Sequence, residues 1–222
     1  MFPDLTRDDV FRLETPRLWL RWPRASDAAA IRRVVERAEV AERTSSIVHP
    51  YQQGSAEAFI LAARAANAGG EAIELVMSLK TTREPIGQIS ARRRGDEIEL
   101  GYVVAPTHWD EGYASEAVAA LVDIVFALTF APRVVARVMV ENEASARVLE
   151  KQGFLAQGEE TVEMPARGGA RLCRRYVLDR SSREGLRERR VPAMRQQAAA
   201  PAGLHAQGAG ALPPPEASRC WM

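Results

Sequence analysis

A chain of 222 residues is long enough for one substantial domain, and a hydrophobic share of 46% is ordinary for a globular protein. Its formal net charge of +1 gives no whole-molecule attraction to nucleic acid or to an anionic membrane. No apolar run reaches the roughly 18 residues of a transmembrane helix, and the opening MFPDLTRDDVFRLE is charged throughout, without the apolar core of a secretory signal. Cys173 and Cys220 lie far apart without CxxC spacing, and His49, His108 and His205 are not paired at ligand spacing. That pattern fits a reducing cytoplasm and predicts no metal centre.

Residues 17–22, RLWLRW, alternate as an opening strand that Pro23 ends. Ser26 or Asp27 is placed to cap a helix running through Ile31, Val34 and Val35. A second helix begins near Ser55, carries Ala58, Phe59, Ala62, Ala63 and Ala66, and stops at Gly69-Gly70. Three strands follow, AIELVMSLK, PIGQISARR and EIELGYVV, whose connections TTRE and RGD suit antiparallel hairpins. In the third strand Ile98, Leu100, Tyr102 and Val104 share one face, and Glu97, Glu99, Gly101 and Val103 the other. HWDEGYASEA then leads into a long helix with an apolar stripe at Ala117, Leu121, Ile124, Val125 and Leu128. RVVARVMV, residues 133–140, is a β-branched strand. Asn142 opens a short helix that ends at Gly153, and FLAQGEETVEM and RLCRRYVLD close the domain as two strands joined by ARGGA.

After about Arg180 the composition changes to an arginine-rich stretch and then to Ala, Gly and Pro. Such a tail buries too little apolar surface to offset its ordering entropy and is expected to be mostly disordered. A short helix over residues 183–197 is conceivable, with apolar residues too sparse for packing. The arginines invite contact with ribosomal RNA, but no aromatic residues interleave them for stacking, so a solvated extension is the favoured reading.

The turn before the long helix carries the strongest chemical signal. Gly112, Ala114 and Ser115 are small where the helix begins, so a ligand can approach bare N–H groups and the helix dipole favours an anion. A diphosphate site and an ordinary strand-to-helix turn both fit that pattern.

The order of elements resembles the GNAT acetyltransferase superfamily, and the wording resembles its RimJ/RimL-type branch. The resemblance rests on TPRLWLR at 15–21, Asp27, IGQIS at 86–90, EIELGYVV at 97–104, HWDEGYASEA at 108–117 and ENEASARVLEKQGF at 141–154. It covers residues 13–179 and leaves residues 180–222 without a counterpart. It implies an α/β (α+β) fold with a mixed, mostly antiparallel sheet of about seven strands flanked by about four helices. It also implies a cytoplasmic N-acetyltransferase that takes acetyl-CoA and a primary amine, either a protein N-terminal α-amine or a small molecule. By the family pattern, Glu111, Gly112, Tyr113, Ala114 and Ser115 hold the diphosphate, Val103 and Val104 pair with the pantetheine arm, and Asn142 contacts that arm.

Two departures stand out. Trp109 in place of a leading Gln or Arg is common in this branch, but Asp110-Glu111 puts two carboxylates beside the expected diphosphate. The helix position where many relatives carry a tyrosine acid holds Leu149. Glu99, on one face with Gly101, is the candidate general base, on the expectation of an open, partly desolvated carboxylate; the competing reading is an exposed strand glutamate. Ser145 is the candidate donor to the leaving thiolate, against an ordinary first-turn serine. Phe59 and residues 44–53, with His49 and Tyr51, are expected at the acceptor wall. The departures also admit a catalytically degenerate protein that binds acyl-CoA or a partner.

Overall fold

The computed structural model describes residues 11–190. The order is β1 (Arg12–Glu14), β2 (Leu18–Arg21), α1 (Ala28–Val35), α2 (Ala38–Ala41), α3 (Ser55–Ala68), β3 (Ala72–Leu79), β4 (Pro85–Arg94), β5 (Glu97–Val104), α4 (Tyr113–Leu128), β6 (Arg133–Met139), α5 (Glu143–Lys151), β7 (Leu155–Met164), β8 (Gly169–Asp179) and α6 (Arg180–Arg190). The eight strands form one sheet in the order β1-β2-β3-β4-β5-β6-β8-β7. Every neighbouring pair is antiparallel except β5 and β6.

The mixed, mostly antiparallel sheet matches the expectation, with one strand more than seven and six α-helices rather than four among the described residues. The extra strand, β1, is three residues long and reads RLE, too short for alternation to reveal it. The extra helices are α2, of four residues, and α6. The segment that forms α6 was expected to lack packing. It docks through arginine instead of through apolar residues. Arg180 donates to the carbonyls of Phe126, Thr129 and Ala131, and Arg183 is buried and pairs with Asp123 at 2.8 Å. Residues 191–222, where the rest of the tail was expected to be disordered, lie outside the described residues.

Each sheet face has its own core. One face, with Leu75, Ile89, Leu100 and Tyr102, packs on α4 and α5; the other, with Val76 and Val103, packs on α1 and α3. On α4 the buried stripe is Ala117, Val118, Leu121, Val122 and Val125, while Leu128 is 62% exposed. The sequence stripe therefore stood slightly rotated: Val118 and Val122 face the sheet, and the last turn runs past it. Asp27 sits at the α1 N-cap as expected, but its side chain makes no cap bond to that helix. Its buried carboxylate instead takes both Arg21 guanidinium nitrogens, at 2.7 and 2.9 Å, and the Arg24 amide.

Candidate active site

The site begins where β5 and β6 part. These parallel strands pair only at Ile98–Val134 and Glu99–Val135, so from Leu100 onward β5 has no partner on that edge. On its other edge it remains paired with β4 through Val104. Ala105 donates to Ile86 on the β4 side. Because a strand turns successive backbone groups to opposite edges, Val104 faces the gap. Its carbonyl accepts from the Trp109 indole N–H at 2.7 Å, and its amide points to the same edge. Val103 has a different place: its side chain lines the cavity beside the gap.

That cavity, about 460 Å³, runs through the gap: Phe59, Tyr51 and Ile47 form an apolar wall on the α1/α3 side, and Leu100, Tyr102, Ser145 and Leu149 line it from the α4/α5 side. His49, expected there, is not among the lining residues. Its floor is polar. Glu74, Ser90 and Gly101 stand in register across three strands, so their positions share one face. A Cβ on Gly101 would come within 3.3 Å of Ser90 Oγ, so the glycine keeps that floor open.

Glu99 also lines the cavity, without the open surroundings expected of it. Its Oε1 accepts from Arg137 at 3.0 Å and its Oε2 from Arg94 at 3.3 Å. Arg137 is in turn bonded to Glu160 at 2.7 Å. The desolvated carboxyl in this cavity is Glu74, which burial raises above the ordinary carboxylate range while Arg92, 2.6 Å away, draws it partly back. A glutamate in a strand reading AIELVMSL carried no sequence signal beyond a charge among apolar neighbours.

At the far end of β5, α4 begins at Tyr113 behind Gly112, whose φ of +81° belongs to the left-handed region. The first amides of α4, from Tyr113, Ala114 and Ser115, have no intrahelical acceptor. A Cβ on Gly112 would meet only one atom within 4 Å, Arg17 Nη2 at 3.5 Å. Arg17 is therefore the basic residue that this turn lacks in sequence. Its Nε pairs with Glu116 at 2.7 Å, its Nη1 donates to the Glu111 carbonyl at 2.9 Å, and its guanidinium lies 4.3 Å over the Tyr113 ring. The TPRL segment carried it, but only the fold shows that β1–β2 lies against the start of α4. Glu111 turns its side chain to His108, 3.6 Å away.

Across the gap, the Asn142 side chain accepts from the Ser145 amide at 3.2 Å and so caps α5. Ser145 Oγ lies 2.7 Å from the Tyr102 hydroxyl. Tyr102 was expected only as a residue of the core face. Burial, the largest influence, pushes its phenol well up, a hydrogen bond with Ser145 opposes this, and Tyr176 nearby adds to it.

Residues 17–155 match the family model for the acetyltransferase (GNAT) domain. The chain belongs to the GNAT acetyltransferase family. A curated relative, the uncharacterized N-acetyltransferase YoaA of Bacillus subtilis, is 37% identical over 82 residues, 36% of this chain and 46% of YoaA. The chain thus spans about half the length of the curated relatives it matches. Among solved structures, Mycobacterium smegmatis RimJ in complex with CoA-disulfide superposes with a TM-score of 0.68 at 22% identity, covering 81% of this chain and 93% of RimJ. A ribosomal-protein-S5-alanine acetyltransferase from Vibrio fischeri gives 0.65 at 21% identity, covering 76% and 96%. At those identities the likeness concerns the fold, and it agrees with the RimJ/RimL-type resemblance of the sequence.

Proposed function

We propose that this protein transfers the acetyl group of acetyl-CoA to a primary amine by direct attack on the thioester. The observation that carries the proposal is the parting of β5 and β6 between a bare helix start with Arg17 on one side and a polar-floored cavity on the other. The residues fit the co-substrate. The Tyr113, Ala114 and Ser115 amides behind Gly112 offer donors to a diphosphate, and Arg17 Nη2 stands beside them. It is ion-paired with Glu116 and bonded to the Glu111 carbonyl, which puts a guanidinium at a turn whose Asp110 and Glu111 were, with the missing tyrosine acid, the features that favoured a degenerate protein. The pantetheine arm would lie along β5 at Val103–Val104 with Asn142 across the gap, where an added strand completes an open edge. The Val104 amide would donate to the thioester oxygen as negative charge develops on it.

The amine enters from the cavity. Glu99, two residues from Gly101, is the proposed proton acceptor. With its two carboxylate oxygens held by Arg137 and Arg94, it is proposed to take the proton through a bound water. Burial of Glu74 favours a second assignment of the same role. Thiol release from acetyl-CoA across an amine panel tests the activity, and the acceptors expected are a protein N-terminal α-amine, as the name of the Vibrio fischeri relative suggests, or a small amine. Loss of about tenfold or more in kcat in Glu99→Gln, with Glu74→Gln near wild type, is the expected pattern; the reverse transfers the role to Glu74. Absence of thiol release with every amine, despite bound acetyl-CoA, contradicts the enzyme reading.

A further inference from the structure

The part of the cavity nearest the start of β5 is lined by more arginine than acid. The diphosphate donors lie at the α4 start, past the end of β5, so the co-substrate takes that end of the gap. The acceptor is left the stretch that runs from Gly101 back toward the beginning of β5. There the lining side chains are Arg92, Arg94 and Arg137 against Glu74 and Glu99. We propose that the acceptor is a peptide N-terminus with a carboxylate side chain at its second or third residue, and that Arg92 and Arg94 receive this carboxylate. The proposal rests on the acetyl-transfer reading above and names the acceptor class for it.

The carboxylates of this stretch are shared among its arginines and leave donors over. Glu99 serves Arg137 through Oε1 and Arg94 through Oε2, and Arg137 also holds Glu160. Glu74 accepts from Arg92 at 2.6 Å. Glu97 stands across from Arg94 but is taken by Arg175 of β8 at 2.5 Å. Among the described residues, Arg92 commits only Nη2 and Arg94 only Nε. Arg92 therefore retains Nε and Nη1 as donors, and Arg94 retains both terminal nitrogens. Their side chains are 40% and 63% exposed, so a ligand reaches them from solvent. A guanidinium with a free fork binds a carboxylate through two parallel N–H···O bonds. A cationic side chain at the same place would meet like charge and be rejected.

Strand register sets how far the anion stands from the amine. Arg92 lies across from Glu99 and Arg94 across from Glu97. At a rise of about 3.4 Å per residue, those positions are about 7 and 13 Å along β5 from Gly101, where the amine meets the gap. The carboxylate of a free amino acid is one carbon from its amine and falls short of both. An extended peptide advances by about 3.3–3.6 Å per residue, which brings its second and third side chains into the reach of the two arginines.

The test measures kcat/KM, by thiol release from acetyl-CoA, for peptides that begin with alanine and differ only in glutamate, glutamine or lysine at the second or third position. Free glutamate is the small-molecule arm. In wild type a glutamate peptide is expected to exceed its glutamine counterpart about tenfold, the scale of one charge-assisted hydrogen bond, and the lysine peptide to fall below both. The preference is read as a ratio within each variant, so a general loss of rate cancels. Arg94→Gln should bring the ratio toward one. Arg94→Glu should turn the preference over to lysine, a reversal that a structural role alone would not produce. Equal values for glutamate and glutamine peptides in wild type, or a wild-type preference kept in Arg94→Glu, overturns the proposal while leaving acetyl transfer intact. Free glutamate used as well as the peptides overturns the placement of the anion beyond the first residue. No thiol release with any amine, despite bound acetyl-CoA, overturns the acetyl-transfer reading, and this inference with it.

Discussion

Arg17 shows how one side chain can supply what a local motif lacks. Asp110 and Glu111 follow Trp109 directly, and read in isolation their carboxylates argue against an anion. The guanidinium that answers them comes from far along the chain and is fixed by Glu116, Glu111 and Tyr113. Arg17→Gln should weaken acetyl-CoA binding about tenfold, on the scale of one charge-assisted bond. The loss should shrink as salt rises, because the site is partly exposed and screened; titrations at low and high salt check both. Gly112→Val should cost about 1–2 kcal/mol of folding stability for its positive φ and abolish binding by covering the helix start. A thermal melt separates the two effects. Gly112 and the small residues after it were legible as a turn that admits an anion. Arg17 was not, because pairing between distant segments leaves no trace in local spacing. Glu99 was legible as a carboxylate on the cavity face, but its ion pairs come from β4 and β6 and appear only once those strands are placed.

Elements of this fold are joined by buried charge as well as by apolar stripes. Burial alone would raise the Glu116 carboxyl, but the Thr15 hydroxyl at 2.5 Å and the Arg17 amide and guanidinium together hold it below the usual carboxylate range. A carboxyl lowered on folding adds stability above its unfolded value, near pH 4.3, and loses it as pH falls through its lower folded value. Urea unfolding from pH 6 to pH 3 should therefore show a loss in this window that Glu116→Gln lessens. The Arg21–Asp27 pair is more deeply buried and joins β2 to the start of α1. Asp27→Ala leaves a buried guanidinium without its partner and should cost about 3 kcal/mol, read as a fall in urea midpoint with unchanged slope. Most elements could be placed from alternation and helical spacing because each buries one face. The three that escaped, β1, α2 and α6, are the short and the charged ones. For α6 the anchor is Arg183, whose hydrogen bonds replace an apolar stripe and give hydropathy nothing to detect.

On the scale of the molecule, the sheet separates two kinds of work. The α4/α5 side holds the larger core and brings Ser145 to the gap; the α1/α3 side supplies the apolar wall of the cavity, the proposed acceptor side. The gap between β5 and β6 connects them, and the α4 turn closes one end with amides and Arg17. This architecture was legible from six ordered sequence segments. The shape of the acceptor wall was not, because it depends on residues 44–53, whose composition fixes no conformation. The central claim is that acetyl-CoA lies with its diphosphate at Gly112 and its thioester in the gap. Calorimetric titration of acetyl-CoA into the wild-type chain and into folded Gly112→Trp tests it most directly. The account predicts binding of wild type in the micromolar range, lost in the variant; equal binding by both, or none to wild type at millimolar acetyl-CoA, would contradict it.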